Sequence, residues 1–242
     1  MDPILSPGKR LYPLSENDPL MITIFQHGEE EPPGIIPDIL REGGHATEVI
    51  PLYRTGEVDP RVDPDRLIIL GGVMSVNDEK EYSFLSQEKA LIRKCIAENR
   101  PVLGLCLGAQ MIASAMGGRV YAGIAERGWS RVSSLVPLPG KSVPGDLFVF
   151  QWHNETFDLP AHARLMMKGE KVDHQMFSVG SALGVQFHME ITEEIISRWV
   201  KNLDNPEKDR ILTDTRTHLG QSVSFCRKMV DHFATMEAGK WQ

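Results

Sequence analysis

Short apolar runs alternate with helical patterns in the first half of the chain. The apolar runs occupy residues 21–25, 49–53, 67–70 and 101–105. Runs of this length that are rich in β-forming residues are typical of strands buried on both faces of a parallel sheet. Helical patterns at residues 35–41 and 83–98 lie between them, and a further helix is expected to begin at Leu107. This alternation predicts an α/β fold with a mostly parallel central sheet covered by helices.

The pattern changes after Gly118, where short strand-like runs are separated by Gly and Pro. The runs occupy residues 131–136, 147–152, 164–168, 176–179 and 183–188. They predict a set of short strands added to the α/β half. Apolar residues at helical spacing then predict one helix from Thr192 onward and a last helix over roughly 221–236.

One domain with terminal extensions is the simplest interpretation of this order. The chain has 242 residues, against a prior of about 150 residues per domain. Residues 1–20 contain four prolines and no periodicity, which predicts an extended N-terminal arm. Residues 21–191 form the predicted α/β domain, and residues 192–242 are expected to be a helical extension packed on that domain.

Composition narrows the class of protein. Hydrophobic residues make up 41% and charged residues 24%, which is typical of a globular protein and excludes a disordered one. A formal net charge of −7 argues against a nucleic-acid partner, because binding phosphates requires an excess of cations. The chain has no apolar run long enough to cross a membrane, no signal-peptide pattern, and an odd number of cysteines (Cys95, Cys106, Cys226). We therefore expect a soluble cytoplasmic protein of enzyme size.

The sharpest chemical signal lies where the fourth predicted strand meets a helix. Gly104 and Gly108 flank Cys106 in a G-x-C-x-G sequence. Between a strand and a helix, this sequence forms a strained turn that exposes the central side chain at the carboxyl edge of the sheet. A helix N-terminus favours the thiolate form of a cysteine, and the backbone N–H of Leu107 would point to a developing oxyanion. The alternative is a buried cysteine at an ordinary junction, as expected of the other two cysteines.

A histidine and a carboxylate stand close together at the end of the last predicted strand. His188 closes the run, and Glu190 follows two residues later. In an extended chain, residues i and i+2 share a face, so the carboxylate can orient one ring nitrogen while the other nitrogen faces a thiol. A cysteine nucleophile needs a base that is oriented in this way. A surface His-x-Glu pair at a strand end is the alternative interpretation.

A glycine pair, Gly71 and Gly72, begins the loop after the third predicted strand. Glycines there allow a close turn whose N–H groups face a ligand, and the N–H of Gly72 or Val73 is a candidate second oxyanion donor. An ordinary turn is the alternative. The other histidines lack metal-ligand spacing, so no metal site is predicted, although His153 and His174 can line a pocket in the strand-rich half.

These motifs occur in the order glycine loop, cysteine turn, His-x-Glu, and together they resemble the class I glutamine amidotransferases. Residues 104–110, followed by residues 117–118, are similar to that family's G-x-C-x-G-x-Q…G-G motif. Residues 186–190 resemble its Q-F-H-P-E motif, and the resemblance extends from about residue 21 to residue 190. Three further segments resemble the stand-alone branch close to GMP synthase glutaminase domains: residues 71–78, 126–129 and 151–157.

The resemblance implies a flavodoxin-like glutaminase fold and a catalytic triad of Cys106, His188 and Glu190. Its expected reaction cleaves the γ-amide of L-glutamine, through a γ-glutamyl thioester, to glutamate and ammonia. The backbone N–H groups of Gly72 and Leu107 would stabilise the oxyanion. No cofactor is required, and a synthetase subunit that accepts the ammonia is the kind of partner that the family suggests.

The resemblance also implies that Gln110 helps to hold the glutamine moiety, and we take Val73 and His153 as further candidates at the substrate pocket. Three residues depart from the family pattern. Ala109 stands where many members have histidine, and Val73 and Met189 stand where many have proline. Because none of them is a triad position, we expect changes in pocket shape rather than in the chemistry.

Three other functions remain open from the sequence. A γ-glutamyl peptidase acting on glutathione-like compounds would use the same triad with a different leaving group. A catalytically silent binding module on the same scaffold is disfavoured, because all three triad residue types are present. A different cysteine hydrolase on a flavodoxin-like sheet is disfavoured by the position of the His-x-Glu pair after the cysteine turn.

Overall fold

The computed structural model describes residues 21–138, 145–237 and 241. The N-terminal arm expected over residues 1–20 lies outside the described residues. The strands are β1 (Met21–Gln26), β2 (Ala46–Pro51), β3 (Arg66–Ile69), β4 (Val102–Leu105), β5 (Val120–Ser134), β6 (Asp146–Phe157), β7 (Arg164–Gly169), β8 (Met176–Val179) and β9 (Ala182–Val185). The helices are α1 (Ile36–Glu42), α2 (Leu52–Thr55), α3 (Phe84–Ala97), α4 (Leu107–Ala115), α5 (Glu193–Trp199) and α6 (Asn205–Thr235).

All nine of these strands share one sheet, in the order β2-β1-β3-β4-β9-β8-β7-β5-β6. The α/β class is confirmed, but the expectation of a mostly parallel sheet is wrong because the sheet is mixed. The pairs from β2 to β9 are parallel, whereas the pairs from β9 to β6 are antiparallel. Short connections such as the turn at Gly180 between β8 and β9 can only join antiparallel neighbours, whereas the parallel strands are joined by longer crossovers.

Helices cover both faces of the parallel half. Side chains alternate between the two faces along each strand, so Ile24 and Ile68 pack towards α1 and α6, while Phe25 and Ile69 pack towards α3 and α4. All four of these side chains are buried. The C-terminal helices also contact the antiparallel half, where Trp129 packs in a third buried cluster with residues of α5 and α6.

Three elements are longer than the sequence analysis expected: β5, β6, which extends to Phe157 and does not end near residue 152, and α6. The strand expected over residues 131–136 is the end of β5, which begins at Val120 and pairs with β6 along most of its length. Only residues 132–134 of β5 also pair with β7, so the rest forms a two-stranded ribbon with an irregularity after Ala122. Buried and exposed residues do not alternate regularly along β5, and regular alternation is the pattern by which strands are recognised in a sequence. The full length of β5 was therefore not predicted.

The last helix, α6, begins at Asn205 and not near residue 221. Its first half has few buried side chains, among them Ile211 and Thr215, which weakens the apolar stripe. The start signal is nevertheless in the sequence, because Asp204 caps the helix by accepting a hydrogen bond from the N–H of Glu207 and Pro206 stands in the first turn. None of the helices in the described part of the chain is long and apolar enough to cross a membrane.

Candidate active site

Cys106 occupies a strained turn between β4 and α4. Its backbone has φ 51° and ψ −104°, a conformation that costs a non-glycine residue about 1–3 kcal/mol. The flanking glycines allow this turn, since a side-chain carbon on Gly104 would lie 2.3 Å from the carbonyl oxygen of Gly108. A side-chain carbon on Gly108 would lie 2.2 Å from the carbonyl oxygen of Ile69 in β3. This conformation contradicts the alternative of an ordinary strand–helix junction.

The Cys106 side chain lies at the carboxyl end of β4 with little solvent exposure. Its backbone N–H donates to the carbonyl of Val185 at 2.8 Å, which joins the turn to the end of β9. The sulfur lies 3.9 Å from the carbonyl oxygen of Trp152 and 3.9 Å from the amide nitrogen of Gln186. Leu107 is the first residue of α4, so its N–H is one of the backbone donors that a helix start leaves unpaired.

His188 and Glu190 come directly after β9 and are both buried, with 2% and 4% of their surfaces exposed. The alternative of a surface pair is therefore wrong. His188 Nδ1 lies 2.7 Å from Glu190 Oε1. The backbone N–H of His188 donates to the carbonyl of Phe150 in β6 at 2.9 Å, which attaches the histidine to the antiparallel half.

The environment of His188 favours its charged form. Burial by itself lowers the pKa of the imidazole, but the Glu190 carboxylate and a hydrogen bond with Cys106 outweigh it, and the net effect raises the pKa. The structure thus brings Cys106, His188 and Glu190 together in one chain of contacts. Such an arrangement can move a proton between the sulfur and the ring and can keep the ring oriented.

The glycine loop after β3 passes directly beside this group. A side-chain carbon on Gly71 would lie 3.0 Å from His188 Cε1 and 3.6 Å from Cys106 Cβ, so the loop backbone packs closely against both residues. Gly72 lines the cavity above Cys106. Within residues 21–138, 145–237 and 241, the Gly72 N–H has no hydrogen-bond partner.

A cavity of about 940 Å³ opens above Cys106 and His188. Gln110 and His153 line it, and both side chains contact the backbone of β6. The Gln110 amide donates to the carbonyl of Glu155 at 3.2 Å, and His153 Nδ1 lies 3.0 Å from the same oxygen. His153 Nε2 also lies 3.2 Å from a carboxylate oxygen of Glu126, which is buried.

The remaining positions singled out in the sequence divide between the cavity and the core. Val73 lies at the rim of the cavity and is 83% exposed. Ala109 and Met189 are fully buried in hydrophobic clusters and do not line the cavity. The expectation that Ala109 and Met189 alter the pocket is therefore wrong. His174 contacts the carbonyl of Phe157 and lies outside the cavity lining, contrary to the expectation that it lines a pocket.

The sequence analysis missed the aromatic wall that α5 supplies. The ring of Trp199 stands edge-on to the His188 ring, with centroids 4.8 Å apart and an angle of 77°. Its indole N–H donates to the carbonyl of Glu30 at 2.7 Å, and its ring centroid lies 5.9 Å from that of Trp152. In the sequence Trp199 is one member of an apolar helical stripe, and such a stripe does not distinguish a residue that faces a site from one that faces the core.

An acidic loop after β1 forms another part of the wall. Glu31 lines the cavity, and burial, more than any charged neighbour, raises the pKa of its carboxyl. Nothing in the spacing of residues 29–31 indicates that they face the cysteine, because a run of acidic residues is usually a solvated loop. Among the described residues there is no group of three or more His, Cys, Asp or Glu side chains that could hold a metal ion.

Curated relatives point to one family. The chain is 37% identical over 98 residues to the glutamine amidotransferase-like protein L716 of Acanthamoeba polyphaga mimivirus, which covers 40% of this chain and 45% of that protein. It is 27% identical over 162 residues to the glutamine amidotransferase-like protein YfeJ of Salmonella typhimurium, covering 62% and 67%. It is 27% identical over 160 residues to the glutamine-hydrolyzing GMP synthase of Helicobacter pylori, covering 64% of this chain but only 30% of that enzyme.

Solved structures show the same relationship. A glutamine amidotransferase from Thermotoga maritima superimposes with a TM-score of 0.80 at 30% identity, covering 90% of this chain and all of that one. A glutamine amidotransferase from Methylobacillus flagellatus has a TM-score of 0.77 at 26% identity, with 90% and 93% covered. The family model for glutamine amidotransferase class-I matches residues 35–200. The chain therefore belongs to the class I glutamine amidotransferase family.

Proposed function

We propose that this protein hydrolyses the γ-amide of L-glutamine to glutamate and ammonia, with Cys106 as the nucleophile. The observation that carries the proposal is the continuous contact from Cys106 through His188 to Glu190, with Cys106 and His188 lining one cavity. The strained turn at Cys106 supports it, because a strained non-glycine backbone at a cavity is typical of a catalytic nucleophile.

In the first half of the reaction, the Cys106 thiol gives its proton to His188, and the sulfur attacks the side-chain amide carbon. A carbon–sulfur bond forms, and the carbonyl electrons move onto oxygen. The backbone N–H groups of Leu107 and Gly72 stabilise this oxyanion. The carbonyl re-forms, the carbon–nitrogen bond breaks, and the proton on His188 leaves with the nitrogen as ammonia.

In the second half, water attacks the γ-glutamyl thioester while His188 accepts a water proton. The carbon–sulfur bond breaks, glutamate leaves, and His188 returns the proton to the Cys106 sulfur. Glu190 remains ionised throughout and keeps the imidazole oriented. The chemistry requires neither a metal nor an organic cofactor.

The substrate's amino-acid end would lie in the cavity beside Gln110, Val73 and His153. Gln110 is one turn of α4 beyond Cys106 and therefore faces the same side. Its amide is held by the carbonyl of Glu155, which keeps the side chain oriented towards the substrate. Val73 would act at the rim, where it can select by shape.

A second function, cleavage of γ-glutamyl peptides, is favoured by the size of the cavity. At about 940 Å³ it is at the upper end of the range for drug-sized ligands. Glutamine fills only part of such a space, so a γ-glutamyl compound with a larger leaving group also fits. Hydrolysis of glutamine remains the primary proposal because one of the relatives, GMP synthase, is a glutamine-hydrolyzing enzyme.

An ammonia-accepting synthetase is the partner that we propose. The match covers 64% of this chain and 30% of the Helicobacter pylori GMP synthase. A synthetase subunit bound over the cavity would receive the ammonia and enclose the site. In its absence we expect weak glutaminase activity.

The experiment is to incubate the purified protein separately with glutamine and with glutathione and to measure glutamate in each, with Cys106→Ala as the control. We expect glutamate from glutamine, with an equal amount of ammonia, and slower release from glutathione. Faster release from glutathione would replace the first function by the second. No release from either substrate would leave a binding module on the same fold.

A further inference from the structure

A second buried histidine–carboxylate pair lies on the far side of the glycine loop. His27 follows β1 and Glu88 belongs to α3, and both side chains have no exposed surface. His27 Nε2 lies 3.0 Å from Glu88 Oε2. His27 Nδ1 lies 3.2 Å from the carbonyl oxygen of Gly71. The sequence analysis found no spacing that linked His27 to another residue, and the two partners are 61 positions apart.

Both ring nitrogens of His27 therefore face acceptors, so the doubly protonated ring satisfies both contacts. Burial by itself lowers the pKa of His27, but the Glu88 carboxylate outweighs it and raises the pKa overall. A buried ion pair of this kind is a poor source of stability, because desolvation offsets most of the attraction. Its position beside the site suggests a different use.

Peptide geometry links this pair to the oxyanion site. The described residues contain no cis peptide bond, so the carbonyl of Gly71 and the N–H of Gly72 point in opposite directions from the same plane. The carbonyl is held by His27, which does not line the cavity. The N–H of Gly72 is then directed to the cavity side, where Gly72 is part of the lining.

Because residues 71 and 72 are both glycines, a contact from outside the loop is needed to hold the orientation of their peptide. Two successive glycines have wide backbone freedom, and rotation of the Gly71–Gly72 peptide would turn its carbonyl towards the cysteine and its N–H away. That rotation would replace a hydrogen-bond donor by an acceptor at the point where negative charge develops. The hydrogen bond from His27 opposes it.

We propose that His27 and Glu88 are positioning residues that hold the Gly71–Gly72 peptide with its N–H directed at the oxyanion. The inference rests on the proposed function, because it assigns a role within that reaction. His27 makes the contact with the loop, and Glu88 fixes the ring of His27 from α3. Neither side chain lines the cavity above Cys106.

The test compares His27→Phe, which keeps a ring but removes both hydrogen bonds, with the unaltered protein. Loss of an oxyanion donor typically costs about 10²–10³ in rate. His27→Phe leaves the donor in place but no longer fixes its orientation, so we expect kcat for glutamine to fall by a smaller factor, about 10–100-fold, with KM nearly unchanged. Binding of glutamate γ-semialdehyde should weaken by a similar factor. Its aldehyde carbon bonds to the Cys106 sulfur, and its oxygen occupies the oxyanion position.

The rate at which iodoacetamide alkylates Cys106 distinguishes loss of the oxyanion donor from a general structural defect, because only a structural defect would change that rate. The sulfur displaces iodide without forming an oxyanion, so His27→Phe should be alkylated at nearly the rate of the unaltered protein. Glu88→Gln keeps a hydrogen-bonding partner for His27 Nε2 and should retain most of kcat.

Lys89 supplies the matched control. It is the next residue of α3, is also buried, and donates to the carbonyl of Val76 in the same loop at 2.8 Å. Lys89→Met should lower stability while leaving kcat within about two-fold, because Val76 is far along the loop from the oxyanion peptide. If His27→Phe does not fold because Glu88 is left buried and unpaired, the double substitution His27→Phe/Glu88→Leu removes that charge and allows the same measurements.

The outcomes separate the two proposals. An active unaltered protein together with full kcat and full aldehyde binding in the folded His27 variant would overturn this inference alone. Equal losses of kcat and of iodoacetamide reactivity would also overturn it, since the defect would then lie at Cys106. An unaltered protein that neither releases glutamate nor binds the aldehyde would overturn the proposed function and this inference together.

Discussion

The two halves of the sheet contribute to the cavity in different ways. The parallel half has short buried strands, and its carboxyl edge supplies the Cys106 turn and the glycine loop. The antiparallel half has the long ribbon of β5 and β6, which supplies Arg127, Trp152 and His153 to the walls. The proposed reacting groups therefore lie at the buried edge, whereas the ribbon adds side chains that, together with Gln110 and Val73 of the parallel half, can contact a substrate.

The proposed base, His188, lies where the two halves meet. The strand β9 is parallel to β4 on one side and antiparallel to β8 on the other. His188 follows it and is attached to Phe150 of the antiparallel half through its backbone N–H. Substitution of Cys106 should therefore change kcat, substitutions of ribbon residues that line the cavity should change KM, and His188 should behave like Cys106.

The largest effect is expected at Cys106. Replacing it by alanine removes the nucleophile and should lower kcat by about 10⁴-fold or more, as in hydrolases whose catalytic residues act as a unit. The far-ultraviolet circular dichroism should stay unchanged, because only a sulfur atom is lost. Glutamate release measured in a discontinuous assay provides the test. Substantial activity in the variant would mean that Cys106, at the edge of the parallel half, is not the nucleophile.

The next largest effect is expected for His188→Asn. Because the base and the nucleophile act together, kcat should fall nearly as far as in Cys106→Ala. Single-turnover measurements with glutamine would locate the defect in the chemical step. Full activity of the variant would mean that the base lies elsewhere, and His153 in the ribbon would be the next residue to replace.

Glu190→Gln should cost less than either of these changes. The variant keeps a hydrogen-bonding group beside His188 Nδ1 but removes the charge that favours the imidazolium, so we expect a loss of about 10²–10⁴ in kcat. The comparison is made under the same assay conditions with glutamine at saturation. A loss equal to that of His188→Asn would indicate that charge, and not orientation, dominates.

Selective alkylation at neutral pH should distinguish the three cysteines by a factor on the order of 100. Burial raises the pKa of Cys95 to about 11, and burial raises the pKa of Cys226 well above its usual range. Both side chains are also fully enclosed, whereas Cys106 has some exposure. Peptide mapping after brief treatment with iodoacetamide measures the ratio, and equal labelling of the folded protein would contradict the assignment of Cys106.

The smallest effect is expected in the ribbon. Arg127 lines the cavity and stacks over Trp152 at 5.7 Å, and Arg127→Ala should raise KM about 3–10-fold, the size expected for one polar contact, with kcat unchanged. Arg131→Ala is the matched control, because Arg131 lies on the same strand but pairs with Asp146 outside the cavity. Equal effects of the two substitutions, or a fall in kcat, would break the division between the two halves.

The parallel half was largely predictable from the sequence because its signals are local. The strands β1, β3 and β4, the glycines around Cys106 and the start of α4 at Leu107 follow from neighbouring residues. The strand expected over residues 49–53 is wrong in its bounds, because β2 ends at Pro51 and residues 52–53 belong to α2. The order of the motifs also located Cys106, His188 and Glu190, which the fold brings together. The direction of each strand relative to its neighbours depends on contacts between distant segments, so the sequence did not predict that the sheet is mixed.

Long-range contacts account for what the sequence did not reveal. Trp199 reaches His188 from a helix that looks like any apolar stripe, and His27 reaches Glu88 across 61 positions. Ala109 and Met189 were expected to shape the pocket, but their side chains face the core. Whether a side chain faces a cavity depends on the packing of several elements, which a single segment does not encode.

The most direct test of the central claim is to trap the covalent intermediate. The protein is mixed with glutamine, quenched in acid and digested, and the peptides are mapped by mass. We expect a γ-glutamyl group on the peptide that contains Cys106, with glutamate and ammonia released in equal amounts by the unquenched protein. Glutamate release by Cys106→Ala, or a γ-glutamyl group on a different residue, would contradict it.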